Sequence, residues 1–269
     1  MNRITKQLKQ LKNDGRKALV SYIVAGDPSP ATTLPAMHQL VAEGVDIIEL
    51  GVPFSDPMAD GPVIQLAHER ALANDFSLAD TMAVVTEFRK TDNITPVVLM
   101  GYANPIERMG YQTFSECAHA AGVDGVLTVD LPPEEAVDFN TELKKCELEN
   151  IFLLAPTTTA ARAKMIVSMA SGFLYYVSLK GVTGAGHLDV DSVKNKMSEL
   201  RQLTDLPICV GFGIKDAESA AAVGKLADGV VVGSALVKQA QAFEGQGVES
   251  ITTALAKVVK PIRAALDAL

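Results

Sequence analysis

The sequence predicts a closed (β/α)₈ barrel with an extra N-terminal helix and an additional C-terminal helix, and three observations predict it. Eight short apolar runs recur along the chain, a helical pattern separates every consecutive pair, and the 269 residues suit the roughly 250 that such a barrel needs. An open doubly wound sheet is the alternative that the same alternation allows. One domain covering residues 1–269 is expected, because there is no linker, low-complexity tract or charge run.

Ile4, Leu8 and Leu11 recur at helical spacing, so the first dozen residues read as an amphipathic helix that plugs or flanks the fold, ended by Asn13-Asp14-Gly15. Leu19 to Ala25 reads as the first strand, and Ala31 to Glu43 as a helix that tolerates Pro35 in its first turns. Further strands are expected at Asp46 to Leu50, Pro96 to Gly101, Gly125 to Val129, Asn150 to Leu154, Phe173 to Ser178, Pro207 to Gly211 and Asp228 to Val232. The helical patterns between them are Val63 to Ala73 with Leu78 to Arg89, Tyr111 to Ala121, Pro133 to Lys145, Ala160 to Met169, Asp191 to Leu203 and Asp216 to Val223. Past the eighth strand, Ala235 to Ala240 makes a short helix. A last one carries Ile251, Leu255, Val258, Ile262 and Leu266 on one face. This is the TIM-barrel arrangement, whose active sites lie in the loops at the C-terminal ends of the strands.

Composition narrows the function classes. With 48% hydrophobic and 21% charged residues the chain has the material for a large core, which excludes disorder. A net charge of −8 without a basic cluster makes nucleic acid and anionic membranes poor partners. No run approaches 18 apolar residues, and the three scattered cysteines have neither disulfide nor metal spacing, so a reduced, cytoplasmic location is expected. The four histidines show no paired metal spacing, and His38, His68 and His119 are assigned to outer-layer helices; no metal is expected.

Two acids after the second strand stand out. Glu49 sits among Ile47, Ile48 and Leu50, in a strand that reads as covered on both faces. Burial there raises a carboxyl towards the range useful for proton transfer. Asp60 ends a loop stiffened by Pro53, Pro57 and Pro62, and is expected to stay ionised; unlike environments suggest two roles. The plain alternatives are that Glu49 pairs with a base inside the barrel and that Asp60 only caps the helix after it. Strand seven runs into Gly211-Phe-Gly-Ile214 and strand eight into Gly233-Ser234 before a short helix, a pattern suited to holding phosphate on backbone amides. Gly213, Gly233 and Ser234 are its candidate residues. The glycine-rich loop after strand six reads as a lid, in which Gly184 adds a phosphate donor and Thr183 reaches Asp60. Tyr22, Met100, Leu127, Val129, Tyr175 and Phe212, from strand ends, are expected to wall an apolar pocket between the acids. Two rivals remain: a Schiff-base aldolase using Lys180, and a non-catalytic barrel that binds a phosphorylated ligand and a protein.

The stretches Ala25-Gly-Asp-Pro28, Glu49-Leu-Gly-Val-Pro-Phe-Ser-Asp-Pro57, Ala59-Asp-Gly-Pro62, Gly101-Tyr102, Asn104-Pro105, Asp130-Leu-Pro132, Gly181-Val-Thr-Gly184, Gly211-Phe-Gly-Ile214 and Gly233-Ser234 closely resemble the tryptophan synthase α subunits over nearly the whole length. The resemblance implies reversible retro-aldol cleavage of indole-3-glycerol phosphate to indole and glyceraldehyde 3-phosphate. It also implies Glu49 as general acid/base and Asp60 as partner of the indole N–H. No cofactor is implied on this chain, and pyridoxal phosphate is implied only on a β subunit in an αββα assembly. The sequence departs from the family pattern at Tyr22, Leu179 and Gly186.

Overall fold

The computed structural model describes residues 1–178, 190–211 and 213–269. Eight parallel strands close on themselves in sequence order, with β8 hydrogen-bonded to β1, so the open-sheet alternative is excluded. The strands are β1 (Ala18–Val24), β2 (Ile47–Gly51), β3 (Val97–Gly101), β4 (Gly125–Thr128), β5 (Glu149–Leu154), β6 (Leu174–Val177), β7 (Ile208–Gly211) and β8 (Gly229–Val232). Each lies within a residue or so of its predicted bounds.

Side chains alternate across a strand, and in a closed barrel that parity decides which of them enter the interior. The register places Val20 beside Ile47, Tyr22 beside Glu49, Glu49 beside Val98, Met100 beside Leu127, and Tyr175 beside Cys209. These belong to the inward set. Val20, Ile47, Val98, Leu127, Ile151, Tyr175, Cys209 and Val231 form one interior cluster. The opposite parity, including Leu19, Ile48, Leu50, Leu99, Leu174 and Val210, packs beneath the helices as a second, larger core.

The first helix, α1 (Arg3–Asn13), adds Ile4, Leu8 and Leu11 to the interior cluster, so it plugs the N-terminal end of the barrel. The outer layer follows as α2 (Pro30–Ala42), α3 (Pro62–Ala73), α4 (Leu78–Arg89), α5 (Ala103–Met109), α6 (Tyr111–Ala121), α7 (Val137–Lys145), α8 (Ala160–Met169), α9 (Val190–Arg201), α10 (Ala217–Gly224) and α11 (Ser234–Ala242). The last helix, α12 (Val248–Asp267), packs on α2, α10 and α11 and closes the ring. Two differences from the expected elements have local causes. The seven-residue α5 was not anticipated: its Pro105 lies in the first turn, where no intrahelical amide is needed. Helix α7 begins at Val137 instead of Pro133, because Pro132 and Pro133 accept turn bonds from Glu135 and Ala136 before the helix starts.

The strand heights are fixed from the N-terminal end by a device repeated at every even strand. Just before β2, β4, β6 and β8, the side chains of Asp46, Asp124, Ser171 and Asp228 accept the amides of Leu19, Val97, Asn150 and Ile208, at 2.9, 2.8, 2.9 and 2.7 Å. The three acids also meet Arg263, Arg89 and Arg201. Burial pushes the carboxyls of Asp46 and Asp124 up despite the hydrogen bonds and guanidinium groups beside them. Such a pair is therefore costly to break from one side rather than a large net stabiliser. Asp124→Ala, which strands the buried Arg89 and the Val97 amide, is expected to lose roughly 3–5 kcal/mol in urea unfolding. A loss below about 1 kcal/mol would show that these pairs do not hold the register.

Candidate active site

Glu49 lies in the middle of β2 with its side chain directed into the barrel, and it is fully buried. Neither carboxylate oxygen has a hydrogen-bond partner among the described residues, so the reading in which Glu49 pairs with a base finds no such base there. Burial, and secondarily the charge of Asp60, pushes its carboxyl up to about 8. At that value both the acid and the carboxylate are populated near neutral pH, so one group can donate a proton and then take one back.

Asp60 lies at the end of the loop from β2 to α3, and the described residues that hold its side chain meet it at Oδ2. The Tyr102 hydroxyl donates to Asp60 Oδ2 at 2.7 Å and accepts from the Ala59 amide at 3.1 Å, tying both ends of the tight segment to β3. Phe54 stacks on Tyr102, ring centroids 5.1 Å apart. Asp130, after β4, accepts the Ala103 amide at 2.7 Å, so the Asp130-Leu-Pro132 stretch braces the first turn of α5 next to Tyr102. The helix-cap alternative for Asp60 is not observed: Gly61 is the N-cap of α3 and makes no side-chain cap bond.

Tyr22 and Tyr175 flank Glu49 inside the barrel. Burial first, then nearby carboxylates, drives both phenols well above their usual range, so they stay protonated. Each leans over a glycine of the next strand. A methyl at Gly51 would stand 2.5 Å from the Tyr22 hydroxyl oxygen, and one at Gly211 would overlap the Tyr175 hydroxyl. Leu127 is buried beside them, whereas Met100 and Val129 are partly exposed at the strand ends. Across the mouth, Gly213 has φ +82°, a backbone that only glycine adopts freely, and Gly233 precedes Ser234, the first residue of α11. The first amides of α11 have no intrahelical acceptor, which leaves them for an anion. The predicted residues Phe212, Thr183, Gly184 and Lys180, with Leu179 and Gly186, lie outside the described residues.

Two residues were not singled out from the sequence. Tyr102 appeared only inside a longer motif. His68 does lie on an outer-layer helix, α3, as expected, but its ring is 2% exposed and its Nε2 lies 3.4 Å from Asp60 Oδ2. The spacing of Ile64, Ala67, His68 and Ala71, the buried face of α3, already marked position 68 as inward. Among the described residues no group of three potential ligands is placed to hold a metal ion, and no helix is long and apolar enough to cross a membrane.

Residues 8–266 match the tryptophan synthase alpha chain family. The tryptophan synthase alpha chain of Marinobacter nauticus is 58% identical over 269 residues, covering 100% of this chain and 99% of that protein. That of Methylococcus capsulatus is 54% identical over 268 residues, covering 100% of both. The crystal structure of the subunit alpha from Legionella pneumophila superposes with a TM-score of 0.92 at 46% identity, covering 100% of both chains. A tryptophan synthase structure from M. tuberculosis superposes at 0.87 with 32% identity, covering 99% of this chain and 100% of that one. With a buried acid on β2 and a second carboxylate held beside it in the same barrel mouth, the chain belongs to the tryptophan synthase alpha chain family, the lyases that cleave indole-3-glycerol phosphate to indole and glyceraldehyde 3-phosphate.

Proposed function

We propose that Glu49 carries both proton transfers of this cleavage and that Asp60 balances the charge that develops on the indole ring. The observation that supports this most directly is a carboxyl buried without a partner and held at about 8. Protonated Glu49 gives its proton to indole C3, and the ring becomes an indolenine whose positive N–H is stabilised by Asp60. The Glu49 carboxylate then removes the proton of the adjacent glycerol hydroxyl. The carbon–carbon bond breaks, its electron pair restores the aromatic ring, and the new carbonyl leaves as glyceraldehyde 3-phosphate. No electron sink beyond the ring itself is required, so this chain needs no cofactor.

Tyr22, Met100, Leu127, Tyr175 and Phe212 would hold the indole, Gly184, Gly213, Gly233 and Ser234 the phosphate, and Thr183 would meet Asp60 from the loop after β6. We further infer that residues 1–269 work as one barrel domain in the cytoplasm. Indole passes to a β subunit in an αββα assembly, with pyridoxal phosphate on that partner. Its docking face would include the loop of Phe54, Pro57 and the 76%-exposed Met58, so that binding presses on the segment ending at Asp60.

Glu49→Gln is expected to bind indole-3-glycerol phosphate while indole release, followed by fluorescence against a chain without tryptophan, falls at least about a hundredfold. Near-normal turnover would remove Glu49 from the mechanism. The same variant tests the burial cost. Because the folded value, about 8, exceeds the unfolded 4.5, wild-type stability is highest below the unfolded value and is lost as pH rises through the folded one. Glu49→Gln escapes that loss, so its advantage in urea unfolding is expected to grow by roughly a few kcal/mol between pH 4.5 and pH 8. An advantage independent of pH would mean that Glu49 is not buried as an acid. For the anion site, Gly233→Val, whose side chain would crowd Tyr22 just before α11, is expected to weaken glycerol 3-phosphate binding about tenfold or more in calorimetry. Unchanged affinity would move the phosphate elsewhere.

A further inference from the structure

His68 takes no part in the steps above, yet it occupies a costly position. It lies on the buried stripe of α3, where an aliphatic side chain would pack without polar cost, and neither ring nitrogen has a hydrogen-bond partner among the described residues. Its Nε2 stands 3.4 Å from Asp60 Oδ2, within ion-pair reach but not aligned for a hydrogen bond. Tyr102 donates to that same oxygen, so among the described residues these two side chains support the carboxylate along one edge. The distance is already short enough, so a reorientation of the ring would turn the histidine contact into a hydrogen bond, a tightening that catalytic contacts commonly undergo when substrate binds.

We propose that His68 is a positioning residue for Asp60: with Tyr102 it holds Oδ2, leaving Oδ1 for the substrate N–H. With a proton on Nε2, His68 supports the carboxylate in the orientation that presents its charge to the indolenine ring. The neighbouring groups direct this effect to Asp60. Asp27, the other carboxylate that His68 influences, is already paired with Arg70 at 2.6 Å, with Glu244 beyond it. Helix α3 packs against β1 and α11, whose titratable side chains are Tyr22 and the exposed Lys238, and Tyr102 approaches from the end of β3.

The inference rests on the role given to Asp60, and the test separates the two. Cleavage by wild type, Asp60→Asn, His68→Leu and His68→Gln is measured across pH. His68→Leu is expected to lose roughly ten- to a hundredfold in kcat, the scale of one hydrogen bond to a charged group, with KM little changed. His68→Gln keeps an N–H donor and is expected to recover most of the rate. Wild-type turnover in His68→Leu, or no recovery in His68→Gln while Asp60→Asn is impaired, overturns the proposal alone. Normal turnover in Asp60→Asn overturns the role of Asp60 as well. Should His68→Leu fail to fold, His68→Gln and Asp60→Asn decide: a rate in His68→Gln as low as that in Asp60→Asn rejects the positioning role, and a rate near wild type supports it.

Discussion

A carboxyl enclosed in a closed barrel, with no counter-charge among the described residues, is the constraint on which the rest of this structure depends. The interior around Glu49 is lined by Tyr22, Val98 and the apolar side chains below them, and these offer the ionised form nothing in exchange for water. Closure through the β1–β8 pairing is what encloses that interior, and strand parity is what puts position 49 inside it. Asp46 sets the height. By binding the Leu19 amide and Arg263 at the base of β2, it fixes where the strand begins and so where Glu49, three residues later, stands.

The second carboxylate is arranged on opposite terms. Asp60 belongs to a loop and is held by side chains from other segments: Tyr102 at the end of β3, Phe54 stacked on Tyr102, and α3 through His68. Asp130 braces α5 from the next strand along. The burial that raises Glu49 and the support that orients Asp60 give two chemically similar groups unlike environments, as the two roles proposed for them require.

Polar satisfaction divides the molecule between its two ends. At the N-terminal end, the acids before β2, β4 and β8 each meet a backbone amide and an arginine, and Ser171 does the corresponding work before β6. At the C-terminal end, Glu49 and the ring of His68 are buried with no hydrogen-bond partner among the described residues. Single atoms elsewhere, among them Ser21 Oγ, Thr128 Oγ1 and Arg263 Nε, also lack a partner among the described residues, so what sets the mouth apart is a whole carboxyl and a whole imidazole ring left without one.

The sequence by itself determined the alternation of strands and helices, the length that favours a barrel, the inward apolar face of α1 and the special status of Glu49 and Asp60. These are local matters: periodicity, glycine and proline positions, and an acid embedded in an apolar run. It also held the signal for His68, since Ile64, Ala67, His68 and Ala71 share one helical face. What that face met was not readable. Helix α5 escaped notice because its seven residues carry little periodicity. Only the tertiary structure decided that the sheet closes, that Glu49 finds no base among the described residues inside it, and that Tyr102 and His68 meet at one oxygen of Asp60. The last is a contact among residues 42 positions apart, from Tyr102 to Asp60, and set by the stagger between neighbouring strands. Spacing along a chain fixes which way a side chain points from its own element, but not which other element arrives there.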